Sequence, residues 1–309
     1  MVLLHVLVYG VVLIFLAAVV ARALRIVRTP VHLRWELYPV PHEKGKAAHG
    51  GSVLEEKDWW LTKHEVDHWG ELRVMLAEIL LLKGVWEHNR SLWVASFPLH
   101  FGLYLLIGNG ALLLAAGALM RFGVVLNPAA GFGAMLFAFC TLLAWVGALL
   151  GAFGALLMLA KRILEPDMRR WSNPGHYFNA LLLGAIDISL LLWLASDGGV
   201  IPRLAMFYSG ILGASNLPFL PAAGLWHLGF VLLFLLVLPF THMTHFFIKY
   251  FTYHNVRWED APNLPGGKLS REIGLAVAQT VSWAAPHVRS EGKKNWVDVA
   301  HDVKAEDRD

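Results

Sequence analysis

Residues 131–160, GFGAMLFAFCTLLAWVGALLGAFGALLMLA, decide the fold. The stretch contains no charged residue, and it exceeds the roughly 20 apolar residues with which a helix crosses a hydrocarbon core about 30 Å thick. Other charge-free stretches occur at 1–21, 91–120 and 204–248. No strand-like alternation is sustained, which disfavours a membrane β-barrel. The sequence therefore predicts an all-α, polytopic transmembrane helix bundle.

The composition agrees with this fold class, because 57% of the residues are hydrophobic and 16% are charged. Soluble domains usually carry about 25% charged residues. About five spans are predicted, at 1–21, 93–119, 129–160, 177–195 and 223–248. The third is too long for an upright crossing, so we expect it to tilt or to extend into the cytoplasm. Residues 204–222 contain two glycines and two prolines and are interpreted as an extracytoplasmic loop or re-entrant segment.

Lysine and arginine predict the orientation. The segments 22–92, 161–175 and 249–309 carry eleven, four and nine of them, whereas the other two connections hold only Arg121 and Arg203. Under the positive-inside rule this split predicts an N-terminus outside and a C-terminus inside. The chain is thus expected to be a multi-pass protein of the cytoplasmic (inner) membrane. The net charge of +3 reflects topology rather than nucleic-acid binding.

Two regions follow from these spans. Residues 1–250 form a transmembrane domain with a cytoplasmic loop at 22–92, and residues 251–309 form a cytoplasmic tail. Within the loop, a helix-like pattern from 64 to 86 predicts a surface-lying or partner-docking helix. A short amphipathic helix is predicted around 270–283. The first apolar run is interpreted as a retained helix, with a cleaved signal peptide as the alternative.

Histidines in the predicted spans are the unusual feature. The chain has fifteen histidines, and a polar ring inside a membrane is costly unless it has a partner. His100 lies in the second span, His227 near the outer start of the fifth, and His242 and His245 near its inner end. In a continuous helix, the 18 residues from His227 to His245 make five turns and rise roughly 27 Å. Both rings would then share one face at opposite depths.

Haem suits such a stacked arrangement, since its iron is held by rings from neighbouring helices. Zinc instead requires three or four ligands at one point. The alternative is that each histidine forms an ordinary hydrogen bond between helices. The single cysteine, Cys140, excludes an intramolecular disulfide, a c-type haem attachment and a Cys-ligated iron–sulfur cluster within this chain. It is predicted to be a small packing residue.

The histidine motifs resemble a known family. The fifth span contains LWH at 225–227 and LPFTHMTH at 238–245, and the second contains FPLHFG at 97–102. These resemble the two ligand-bearing helices of the nitrate reductase gamma-subunit family of membrane cytochromes b.

A narrower resemblance lies in the first loop. The segments LRWELYPVPHEKG at 33–45, GG at 50–51 and LEEKDWW at 54–60 are similar to quinone-linked cytochromes b of the DsrM, HmeC and TmcC type. That branch is related to the membrane subunit of heterodisulfide reductase. The resemblance covers nearly the whole chain.

The resemblance implies a set of haem ligands. His100 and His245 would bind a proximal haem near the cytoplasm, and His227 a distal haem near the outside. The family places a fourth ligand ten residues after the first, where this chain has Gly110, which has no side chain. His5 is the best-placed substitute, with a simple interfacial histidine as its alternative. The number of b haems, one or two, therefore stays open.

The implied function is electron transfer. The family resemblance implies that menaquinol is oxidised and that electrons pass through haem b to a cytoplasmic iron–sulfur subunit resembling heterodisulfide reductase. It also implies a link to sulfite or sulfate metabolism, and further membrane and periplasmic cytochrome c subunits as possible partners. The chain would be an electron-transfer subunit rather than a complete enzyme. Sequence does not fix the direction of flow, which depends on the partners' potentials.

Asp187 is the one acidic residue in the fourth predicted span. An intramembrane carboxyl group is by default a functional-site hypothesis, here a proton relay or a hydrogen-bond partner of quinol. A protonated packing contact is the alternative. For the whole chain, the alternative function is a non-redox membrane anchor or transporter component.

Overall fold

A computed structural model describes residues 2–28, 40–45, 52–252, 258–281 and 294–301. Within these ranges the fold is all-α. Five helices are long and apolar enough to cross a membrane, and they confirm the predicted multi-pass architecture. They are α1 (Val2–Val27), α4 (Arg90–Arg121), α5 (Gly131–Leu164), α7 (Pro174–Ser196) and α9 (Ala222–Val237), the last extended by a 3₁₀ turn to Phe240.

Shorter helices connect or follow these spans. They are α2 (His68–Leu80), α3 (Lys83–His88), α6 (Pro166–Arg170), α8 (Val200–Leu212), α10 (His245–Thr252), α11 (Lys268–Val277) and α12 (Trp296–His301). The chain divides into two compact units, Met1–Val20 with Met75–Thr244, and Ala21–Val74 with His245–Asp309. The second unit groups the first loop, as far as Val74, with the tail from His245.

The centre of the first unit is the contact of α4 with α5, where small residues let two backbones approach closely. A Cβ atom added to Gly102 would lie 2.5 Å from the main-chain nitrogen of Gly151, and one added to Gly154 would lie 2.3 Å from that of Leu99. Cys140 is a fully buried free thiol in the same core, as its predicted packing role requires. Helix α5 has 34 residues, or roughly 51 Å at 1.5 Å per residue, so the expected overlong third span is confirmed.

Residues 204–222 do not form a sixth span. Helix α8 has only 13 residues, or roughly 20 Å, which is too short to cross the hydrocarbon core. Nε2 of His42, in the first loop, contacts the carboxylate of Asp260, in the tail, at 3.0 Å. These two segments must therefore lie on the same side of the membrane. The chain between them must cross an even number of times, as it does with α4, α5, α7 and α9 alone.

The second unit includes residues 40–45 of the LRWELYPVPHEKG segment; residues 33–39 and 50–51 lie outside the described residues. The Ser52 hydroxyl donates to the buried Glu43 carboxylate at 2.8 Å. Trp258, from the tail, is 2% exposed and meets the His42 ring edge-on. On the surface, a hydrogen bond from Lys44 lowers the pKa of Glu65, and the pKa of Lys44 is raised in turn.

The helix predicted from 64 to 86 is two helices, α2 and α3. The chain breaks at Leu82, which has a left-handed φ of 52°, and the indole N–H of Trp93 donates to the Leu81 carbonyl at the break. The prediction was therefore wrong in continuity. In the tail, α11 agrees with the amphipathic helix predicted around 270–283, of which residues 282–283 lie outside the described part of the chain.

Candidate functional site

His100 lies in the third turn of α4, and its ring is held by its own helix. Nδ1 lies 2.7 Å from the main-chain oxygen of Ser96 and 3.3 Å from the Ser96 hydroxyl oxygen. A carbonyl oxygen can only accept a hydrogen bond, so Nδ1 carries the proton and donates. The lone pair of the neutral ring is then on Nε2. Histidines that bind metals are usually arranged in this way, with the other nitrogen bonded to a carbonyl or carboxylate.

His227, on α9, is held by a neighbouring helix. Its Nδ1 lies 3.2 Å from the main-chain oxygen of Ile186 and 3.1 Å from the hydroxyl oxygen of Ser189, both on α7. The Trp193 ring lies beside it, with the ring centroids 6.1 Å apart. The Ile186 carbonyl again requires a proton on Nδ1 and leaves the lone pair on Nε2. The sequence predicted His100 and His227 but not their partners. Ile186 and Ser189 lie on a different helix from His227, and such a pairing leaves no signal in one sequence. Ser96 is four residues before His100 on the same helix, a spacing that could have identified it.

Asp187 follows Ile186 on α7 and points away from water. Its exposed fraction is 0%, and neither carboxyl oxygen has a hydrogen-bond partner among the described residues. The carboxyl group lies against α5, because a Cβ atom added to Gly151 would be 2.4 Å from Oδ2. A glycine at that position makes the space that the carboxyl group fills. The prediction of a polar group inside the fourth span is thus confirmed, and its role stays a prediction.

The predicted five-turn spacing between His227 and His245 is wrong as a geometric argument. Helix α9 ends at Val237, a 3₁₀ turn runs to Phe240, and Thr241 is extended with ψ 175°. Pro239 has no N–H with which to continue the helical hydrogen bonds. Since the helix is not continuous, a shared face for the two rings does not follow. His245 begins α10, which belongs to the second unit, and its side chain is exposed.

The break brings His242 against α7. The Asn179 amide nitrogen lies 3.2 Å from Nδ1 of His242, and the centroids of the His242 and His176 rings are 4.6 Å apart. His176 was not predicted as a site residue. Its Nδ1 accepts the main-chain N–H of Asn173 at 3.1 Å, so its proton is on Nε2. In this state Nε2 of His176 donates hydrogen bonds and does not bind a metal.

His5 lies on the second turn of α1, with its ring centroid 5.9 Å from that of Tyr9. The Tyr9 hydroxyl donates to the Ile211 carbonyl of α8. This contact places His5 at the end of the bundle where α7 ends and α9 begins, which is the end that holds His227. At Gly110, an added Cβ atom would meet only the Tyr208 hydroxyl, at 3.9 Å, so the position has room for a Cβ atom.

These residues fit a haem better than a bare metal ion. No group of three or more His, Cys, Asp or Glu side chains converges among the residues that the structure describes. Haem brings four equatorial nitrogens of its own and requires only one or two axial side chains. His100 and His227, each with its proton fixed on Nδ1, are suited to supply Nε2 as such a ligand. The chain matches no known family model, no curated protein and no solved structure.

Proposed function

We propose that this chain is the membrane cytochrome b subunit of a respiratory redox complex. One observation carries the proposal: two histidines in membrane-spanning helices each engage a main-chain carbonyl through Nδ1, so that Nε2 holds the lone pair. Histidines that bind a metal usually hold their other ring nitrogen in this way, and the alternative is a hydrogen bond that only satisfies the polar ring between helices. A bound b haem would take up and pass on one electron at a time. His100 and His227 would each supply an axial nitrogen, with His245 as the further ligand implied by the family resemblance.

The proposed substrate is menaquinol, and the proposed location is the cytoplasmic membrane with the N-terminus outside. In this orientation His227 and His5 lie near the outer surface. The electrons would go to a cytoplasmic iron–sulfur subunit resembling heterodisulfide reductase, in a complex that handles sulfur compounds. The distribution of basic residues and the sequence resemblance support this assignment. The loop and the tail, joined in the second unit, would be on the side of that partner.

Asp187 is the proposed proton-handling residue. Oxidation of one quinol gives one quinone, two electrons and two protons. A proton that leaves through an apolar bundle needs a group that can bind it. Asp187 is a fully buried carboxyl on α7, next to Ile186, whose carbonyl contacts His227 of α9. Its side chain would accept a proton and release it toward the outer end of the bundle.

The first experiment measures haem. The protein is purified in detergent, reduced-minus-oxidised spectra are recorded, and a pyridine haemochrome assay gives haem per chain. We expect low-spin b haem, decreased by His100→Ala and by His227→Ala. His176→Ala is the matched control, because the proton on Nε2 of His176 excludes it as a ligand. No haem after expression with adequate haem supply would refute the cytochrome and leave the non-redox anchor or transporter component.

The second experiment tests Asp187. Asp187→Asn keeps the size of the side chain and removes its ability to carry a proton, so we expect quinol-dependent haem reduction to slow about tenfold or more at unchanged haem content. Asp197→Asn is the control, since Asp197 pairs with Arg203 at the end of α7. Equal reduction rates in the two variants would leave Asp187 with a packing role only.

A further inference from the structure

The α7 turn that contacts His227 presents two oxygen atoms to one nitrogen. Ser189 is buried, and its hydroxyl donates to the Ile186 carbonyl at 2.9 Å. Since the hydroxyl proton is used there, the Ser189 oxygen faces the Nδ1–H of His227 as an acceptor, at 3.1 Å. The Ile186 oxygen lies at nearly the same distance from Nδ1 of His227, 3.2 Å, and also receives the Ser189 proton.

His100 offers a comparison within the same protein. A serine hydroxyl and a main-chain carbonyl also meet its Nδ1, but both belong to Ser96 on the same helix. Here the carbonyl is the close partner, at 2.7 Å, and the hydroxyl is the distant one, at 3.3 Å. Loss of the Ser96 hydroxyl would therefore leave the ring of His100 held. Loss of the Ser189 hydroxyl would leave His227 with a single bond, to the Ile186 carbonyl on another helix.

We propose that Ser189 is a positioning residue for His227. Its hydroxyl is a second acceptor for the Nδ1 proton, beside the Ile186 carbonyl, and fixes the ring against α7, so that Nε2 is presented as a ligand. The proposal rests on the proposed haem function for its consequence, but the placement of the proton is a property of the chain itself. A hydrogen bond at Nδ1–H also makes the imidazole a more basic ligand. For a haem bound through His227, Ser189 would thus favour the oxidised iron and lower the reduction potential of that haem.

A conservative replacement is available because Ser189 also borders a groove. An open, apolar groove of ≈ 380 Å³ lies between α7 and α9, lined by residues that include Ser189, Ile188, Ala223 and Trp226. The extra methyl group of a threonine has room on that side. Ser189→Thr would then keep the hydroxyl and its two hydrogen bonds, whereas Ser189→Ala removes both.

The experiment compares Ser189→Ala, Ser189→Thr and Ser96→Ala in the purified full-length protein. For Ser189→Ala we expect about tenfold weaker haem retention at the His227-dependent site, as for other groups that orient metal ligands, and a higher midpoint potential for the haem that remains. Ser189→Thr should restore both values, and Ser96→Ala should change neither. If Ser189→Ala behaves like Ser96→Ala, or if threonine fails to rescue, the proposal is overturned.

A haem-free measurement separates this proposal from the proposed function. Nitrogen-15 NMR of labelled histidine in the protein prepared without haem reports which ring nitrogen of His227 carries the proton, and His227→Ala assigns the signal. We expect the proton on Nδ1 in the wild type, and a larger fraction of rings with the proton on Nε2 in Ser189→Ala, because only the Ile186 carbonyl then favours Nδ1. A wild-type protein that binds no haem but shows this difference would refute the cytochrome and support the role of Ser189. A proton on Nε2 in the wild type would refute the role of Ser189, whatever the haem content.

Discussion

The contact between α4 and α5 makes a quantitative prediction at Gly102. In Gly102→Ala, the new Cβ atom would lie 2.5 Å from the Gly151 nitrogen and 2.6 Å from the Gly147 oxygen. Ordinary contacts between carbon atoms are about 3.5–4.0 Å, so the overlap is about 1 Å. Both neighbours are main-chain atoms that cannot rotate away, and the two helices must separate. Gly108→Ala is the matched control on the same helix, because an added Cβ atom there has nothing within 4 Å.

The expected decrease in the free energy of unfolding follows from overpacking, which typically destabilises a folded protein by about 1–3 kcal/mol. Both variants gain about 0.5–1 kcal/mol from replacing a helical glycine by alanine, so this gain cancels in their difference. At about 2–4 °C per kcal/mol for a domain of this size, the apparent Tm of Gly102→Ala should fall roughly 2–12 °C below that of Gly108→Ala. Thermal unfolding in one detergent, followed by circular dichroism, measures the difference. Equal melting temperatures would mean that α4 and α5 do not approach each other as closely as described.

Three further predictions concern the site, the second unit and the orientation. Gly110→His supplies an imidazole where the family resemblance implies the fourth ligand, and its Cβ atom meets nothing closer than the Tyr208 hydroxyl, at 3.9 Å. It should raise the low-spin haem fraction in optical spectra; an unchanged spectrum in a variant with the wild-type Tm would place the distal haem elsewhere. Trp258→Ala should lower the free energy of unfolding by about 3–5 kcal/mol and make both the first loop and the tail accessible to limited proteolysis. Trp296→Ala, at an exposed position, should make neither accessible. In sealed right-side-out vesicles, an impermeant thiol reagent should label a cysteine at Val125 and spare one at Trp171; the reverse pattern would invert the topology.

The long helices were predictable because the membrane imposes a simple requirement on sequence. Absence of charge over about 20 residues identifies a candidate span, and α4, at Arg90–Arg121, begins and ends within three residues of the predicted 93–119. Absence of charge did not separate residues 204–222 from the spans; two glycines and two prolines in that segment did.

The end of the fifth span was not predictable, because proline has two outcomes in this chain. Pro98 stays inside α4, while Pro239 lies in the turn that ends the last span. Thr241 explains part of the difference: its hydroxyl donates to the Leu238 carbonyl at 3.1 Å and accepts the Met243 N–H at 3.2 Å. These bonds satisfy backbone groups that a continuous helix would otherwise pair. Such local compensation depends on side-chain geometry that a sequence pattern does not contain.

The contact between the first loop and the tail has a consequence for biosynthesis. His42 and Asp260 are 218 residues apart in sequence, which is roughly 10–40 s of translation at about 5–20 residues per second. During that interval the first loop has left the ribosome but lacks Trp258, which the tail contributes. Four spans are still to be inserted. The second unit can therefore close only after the last span is in place. A premature stop codon shortly after α10 would remove the tail and would also leave the first loop without its folding partner.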